Sequence, residues 1–222
     1  MLTHRSEHAD SVTICRRGFL LAGTGLLGTV LLPGTALAQS EPVGLRTLTY
    51  NVLACKGYPE TEPNRARLRQ ARPQMIQRMA LELGLYAPDI VTFQESPSEE
   101  TVAAIAVAMG RHYTYFAGGF PGAVISRFKI LESQNCPLVQ GPRPRDLFTR
   151  HWGRAVLEIP GSRLTLYSAH LHPSDAAVRA REVTEALATM AADIAADGPL
   201  LFQRSEERRV GKGWRSRWSA DH

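Results

Sequence analysis

Cysteine is scarce in this chain: three residues in 222, at positions 15, 55 and 136. Their spacing matches no cysteine motif, which excludes a cysteine-built metal or redox centre. Aromatic residues make up 7% and form no stripe that would suit insertion into a membrane. Residues 39–202 contain no repeat, no low-complexity tract and no linker, which leaves a single domain. Excess charge is also missing from this body. The formal net charge is +5, but residues 203–222 carry +3 and residues 1–38 carry +1, leaving +1 for residues 39–202. A nearly neutral body does not support a polyanion-binding surface.

The first 38 residues read as an address. Arg16 and Arg17 precede Phe19-Leu20, a glycine-rich apolar stretch follows, and Ala36-Leu37-Ala38 closes it. This pattern predicts a twin-arginine export signal cut after Ala38, with the export machinery as a partner and a periplasmic or secreted destination. An uncleaved membrane anchor is the alternative; the glycines, Pro33 and the small-residue ending argue against it. Cys15 leaves with the signal. An oxidising compartment permits a Cys55–Cys136 disulfide, and two free buried thiols fit the sequence equally well.

Residues 45–52 alternate as a strand that ends on polar Asn51, and residues 53–64 read as a loop. Pro73 suits a first helical position, with Ile76, Met79, Ala80 and Leu83 at helical spacing after it. Residues 89–95 form a second strand ending on Gln94-Glu95, and Ser96-Pro97-Ser98-Glu99 opens a helix that Gly110 closes. Short strands are expected over 112–116, 123–127, 130–134, 152–159 and 164–170. A helix then starts at Ser174 or Asp175 with Val183, Leu187, Met190 and Ile194 on one face, and a last strand covers 200–202. This order predicts an α/β sandwich of two sheets with helices outside.

Three strands therefore end on chemistry: Asn51, Glu95 and His170. Strand ends in layered α/β folds converge on one rim, where ligands bind. A carboxylate for a hard divalent cation, an amide to orient oxygen ligands and an imidazole to contact a phosphoryl oxygen form a coherent set. Each also has an ordinary reading, as a turn residue, a solvated strand end and a core histidine.

The segments "LRTLTYNV", "APDIVTFQES", "GAVISRFKI", "WGRAVLEI" and "LTLYSAHLHPSDA", in this order, resemble the endonuclease/exonuclease/phosphatase superfamily over about residues 45–202. The resemblance implies a four-layer αββα sandwich and hydrolysis of phosphate esters dependent on Mg2+ or Mn2+. By the same resemblance, Asn51 and Glu95 serve the metal, and Asn51 and His170 the phosphate. Arg154 falls where many members carry an arginine leading into the central strand. His172 is read as a second phosphate contact or a surface histidine, and Arg127 as a brace for its loop. The loops 55–64 and 137–151 would flank the site, the second bringing Arg143, Arg145, Arg150 and His151.

What the resemblance leads one to expect after Phe202 is a Gly-Asp-x-Asn segment and, later, an Asp-His pair. Gln203-Arg204-Ser205-Glu206 follows instead, and no Gly-Asp-x-Asn exists downstream. The closing Asp221-His222 has nothing before it to place it in a site. Residues 203–222 resemble an adapter-like translated tail, expected to be disordered; a genuine basic tail for anionic partners is the alternative. The sandwich is accordingly expected to be incomplete in its C-terminal half and this chain to be close to inactive. The substrate stays open among nucleic acid, phospholipid and small phosphoester. A non-catalytic exported binding module, or a pseudogene product of the same fold, is the competing function.

Overall fold

In the computed structural model, residues 44–56, 62–196 and 198–205 are described; the expected leader and the tail beyond Ser205 lie outside them. Two four-stranded sheets face each other. The first has the order β1-β2-β4-β3, from β1 (Thr47–Asn51), β2 (Ile90–Gln94), β3 (His112–Phe116) and β4 (Gly122–Ser126). The second has the order β5-β6-β7-β8, from β5 (Ile130–Asn135), β6 (His151–Ile159), β7 (Ser162–His170) and β8 (Leu200–Ser205). Helices α1 (Glu62–Ala71), α2 (Met75–Leu85) and α3 (Glu99–Ala108) precede or interrupt the first sheet, and α4 (Ala176–Ala195) joins β7 to β8.

Three apolar layers hold these elements together. Met79, Leu83, Val102 and Ile105 pack on Val91, Phe93 and Ile125 to bind helices to the first sheet. Ile90, Phe116 and Val124 meet Ala155, Leu157, Leu164 and Leu166 between the sheets. Trp152, Tyr167 and Ala169 meet Ala186 and Met190 of α4. The strand alternation expected from sequence produces this: Ala155 and Leu157 face the first sheet, while Trp152 faces α4. The α/β four-layer sandwich is thus the observed architecture.

Several details differ from the sequence reading. Residues 62–64, at the end of the stretch read as a loop, open a helix that runs over 62–71, a polar segment whose periodicity is too weak to announce a buried face. On α4 the buried positions are Glu182, Ala186 and Met190, whereas Leu187 and Ile194 are about half exposed. The helix is rotated because the Glu182 carboxylate accepts from the backbone N–H of Phe148 (2.8 Å) and His172 (2.8 Å). A buried charge is retained where hydrogen bonds satisfy it. Strand β8 runs three residues past Phe202, pairing Ser205 with His170. Cys55 and Cys136 are free and belong to different layers, which settles the pairing against a disulfide. Among the described residues, no helix is long and apolar enough to cross a membrane.

Candidate functional site

Strand directions bring the polar ends to one rim. Asn51 pairs with Gln94 at the end of the parallel β1–β2 ladder, and Gln94 pairs with Gly122 at the start of β4. In the other sheet His151, first in β6, pairs with His170, last in β7. The two rims touch, because a Cβ on Gly122 would overlap the imidazole of His151. Only glycine admits that approach.

Asn51, Glu95 and His170 meet there. Asn51 Nδ2 donates to Glu95 Oε1 (3.1 Å), and Asn51 Oδ1 accepts from the Leu53 N–H (3.1 Å). Glu95 sits just past β2 in the left-handed region, φ +50°, a conformation that costs a non-glycine residue about 1–3 kcal/mol. Its carbonyl accepts from Ala54 N (2.6 Å) within a turn whose Leu53, Ala54 and Cys55 also have positive φ. Strained backbone on both sides of the Asn51–Glu95 contact is typical of positions that a site over-determines.

Arg150 links the amide–carboxylate pair to the imidazole. Its Nη1 lies 3.2 Å from Glu95 Oε1 and donates to His170 Nε2 at 2.9 Å. The guanidinium carbon stacks 4.3 Å from the Phe120 ring centroid. Burial first, and Arg150 second, lower the pKa of His170 to about 4, with Glu95 opposing. The imidazole is therefore neutral near pH 7 and able to accept from Arg150. Behind it, His151 is fully buried, with Nδ1 3.3 Å from the Phe120 carbonyl and Nε2 3.2 Å from Ser168 Oγ. Desolvation chiefly, then His170, pushes the pKa of His151 down to about 3. Arg143 contributes a buried Nη2 with no hydrogen-bond partner among the described residues, in the loop that carries Arg150.

Arg154 does not join this group, and its assignment to the site is corrected. Alternation along β6 places it with Trp152 on the α4 face, opposite Gly153 and His151. Its Nε and Nη2 grip Asp193 at 2.8 and 3.1 Å, and Nη1 reaches Glu132 at 3.0 Å. Tyr167 completes the cluster by donating to Asp193 Oδ2 (2.7 Å). Arg154→Met is expected to lower stability by about 1–3 kcal/mol in urea titration. Divalent-ion affinity of the folded variant should stay at the wild-type value, and a large loss would contradict this placement.

The strand spacing that would put His172 on the face of His170 does not hold. Strand β7 ends at His170, so period-two alternation stops before His172, whose Nδ1 accepts from the Asp175 N–H (3.0 Å). Asp175 in turn caps α4 through Ala177 N and Val178 N. Arg127 braces its loop as expected, paired with Asp89 at 3.0 Å. Arg150 was visible only as one charge in a basic loop. No periodicity marks a loop residue, so its position beside Glu95 required the fold.

The donor set suits a small hard cation, at its lower limit. Among the described residues no three His, Cys, Asp or Glu side chains gather at one point. Mg2+ is commonly held by one or two carboxylates, with water and substrate phosphate completing the shell. Glu95 with Asn51 meets that requirement, and an arriving phosphate would offset the charge of Arg150.

No protein-family model matches the chain, and no curated protein matches it. Among solved structures, a functionally unknown conserved protein from Enterococcus faecalis V583 has a TM-score of 0.53 at 14% identity, covering 71% of this chain and 65% of that one. An endonuclease/exonuclease/phosphatase family protein from Bacteroides thetaiotaomicron reaches 0.49 at 15% identity, over 71% of this chain and 60% of that one. A humanized D. rerio TDP2 bearing 14 mutations reaches 0.47 at 18% identity, over 73% and 66%. The chain thus spans under two-thirds of the length of each of these three structures. The likeness to the Enterococcus faecalis protein shows the fold, a sandwich of two sheets with helices outside.

Proposed function

We propose that this chain is an exported phosphoesterase-type protein dependent on Mg2+ or Mn2+. One observation carries the reading: the ends of β1, β2 and β7 bring Asn51, Glu95 and His170 into a single hydrogen-bonded group through Arg150. Glu95 and Asn51 would hold the ion. A bound divalent ion supplies Lewis-acid neutralisation of a phosphoryl group. His170, neutral at pH 7, orients the phosphate through an imidazole nitrogen, and Arg150 and Arg143 offer guanidinium donors to its oxygens. Buried Phe116, His151 and Ser168 close the floor of the rim against water. The leader at residues 1–38 supports delivery by twin-arginine export to the periplasm or beyond.

The sequence holds no Gly-Asp-x-Asn segment to position or deprotonate the attacking water. Such groups contribute about 10²–10⁴-fold, so this chain should hydrolyse a phosphoester slowly at best. Nucleic acid, phospholipid and small phosphoesters remain the substrate classes. A phosphate-binding module without turnover is the second reading, favoured by Arg150 already neutralising Glu95.

Titration with Mn2+, followed by the electron paramagnetic resonance signal of free ion, tests the assignment. Glu95→Gln is expected to weaken Mn2+ binding at least tenfold while the fold persists. Unchanged binding would remove the metal role. Phosphate binding that ignores Mn2+ in the wild-type chain would favour the binding module. Rapid hydrolysis of a phosphodiester by the chain as it stands would overturn the expected slowness.

A further inference from the structure

Arg150 places a positive charge where the reading above places a divalent ion. Resting on that reading, we propose that Arg150 is a built-in counter-cation which must release Glu95 before the ion binds, and that it transfers to the substrate phosphate. The coupling makes ion and phosphate bind together rather than independently.

The geometry supports this in three ways. First, Glu95 and Arg150 are nearly enclosed, with side-chain exposures of 8% and 11%. An enclosed carboxylate is favoured by a cation beside it, here in addition to the amide of Asn51. Arg150 fills that role at 3.2 Å in the chain alone. Second, a hard ion would sit ~2.1 Å from a carboxylate oxygen, within a few ångströms of a guanidinium still bonded to that oxygen. Charges of +2 and +1 that close repel strongly in a poorly solvated rim. Both can remain only if a group with at least two negative oxygens arrives between them.

Third, the side chain can move while its backbone stays fixed. Gly119 N donates to the Thr149 carbonyl at 2.9 Å, and a Cβ on Gly118 would overlap the Arg150 carbonyl. These contacts clamp the main chain at residues 149–150 against the loop before β4. The guanidinium itself lies over the flat face of Phe120, a contact that tolerates sliding better than a directed bond does. Phosphate is the natural second partner because the planar guanidinium matches two of its oxygens at once. His170 would lose its Arg150 donor in the same movement and turn an imidazole nitrogen to the phosphate.

By reciprocity, phosphate should strengthen ion binding by the same factor as the ion strengthens phosphate binding. The test uses the full chain with Mn2+ and inorganic phosphate as probes. Arg150→Met, which keeps an apolar stem over Phe120, should bind Mn2+ about tenfold more tightly than wild type without phosphate. Saturating phosphate should then tighten Mn2+ binding by a larger factor in wild type than in the variant. Arg150→Gln provides a second measurement should the methionine variant not fold, with near-ultraviolet circular dichroism reporting the fold. Glu95→Gln added to each background should remove the tight Mn2+ binding. If Glu95→Gln does so but neither Arg150 variant binds Mn2+ more tightly, the counter-cation role is wrong and the metal site stands. If Mn2+ binding ignores Glu95 in every background, the metal site fails and this inference falls with it.

Discussion

Trp152→Ala is expected to destabilise the protein by about 3–5 kcal/mol, the range for removing a large, fully enclosed aromatic side chain. Trp152 has no exposed surface and stacks between Phe148 and Tyr167, with ring centroids at 5.5 and 5.1 Å. Phe202 meets it edge-on at 5.9 Å, and Nε1 donates to the Pro137 carbonyl at 2.6 Å. Its loss therefore opens a cavity between the second sheet and α4 and also frees the loop that carries Arg143 and Arg150. Trp152→Phe keeps much of the stacking and should cost less than half as much. Urea titration by far-ultraviolet circular dichroism distinguishes the two. A loss under about 1.5 kcal/mol for the alanine variant would mean that this stack does not anchor the layer.

Acid should unfold the chain well before its carboxylates account for it. His151 and His170 have pKa values lowered to about 3 and about 4 by burial, against 6.5 when unfolded. The native state thus favours neutral imidazoles, whereas the unfolded chain binds protons below pH 6.5. Stability is fully present above that pH and declines as pH falls towards 4 and then 3. Each histidine contributes a slope of about 1.4 kcal/mol per pH unit in that window. Over the whole window His151 alone contributes about 4–5 kcal/mol, comparable with the total stability of many domains. His151→Gln should leave a shallower decline between pH 6.5 and 4, read from urea midpoints at fixed pH. An unaltered slope would show that His151 is not held neutral by burial.

These two expectations rest on residues that the sequence rated very differently. Trp152 sits in an alternating segment, so the face it points to follows from the strand period. His151 is one residue earlier and looked like part of a basic loop. It is buried because Gly122 of the other sheet lets the imidazole into the seam, a contact between residues 29 positions apart that no local pattern encodes. The resemblance to a known superfamily drew attention to Arg154. In the structure Arg154 shares the face of Trp152 and pairs with Asp193 and Glu132.

The sequence by itself determined the order and type of nearly all the elements. It also determined that three strands finish on an amide, a carboxylate and an imidazole, because hydrophobic alternation and capping act over a few residues. Only the tertiary structure decided which charges meet. It withdrew Arg154 to Asp193 and His172 to the entry of α4, and it set Arg150 against Glu95 and His170. Local periodicity fixes which way a strand residue points. The partner of a loop guanidinium depends on how two sheets are stacked, and that is settled only when the whole apolar interior closes.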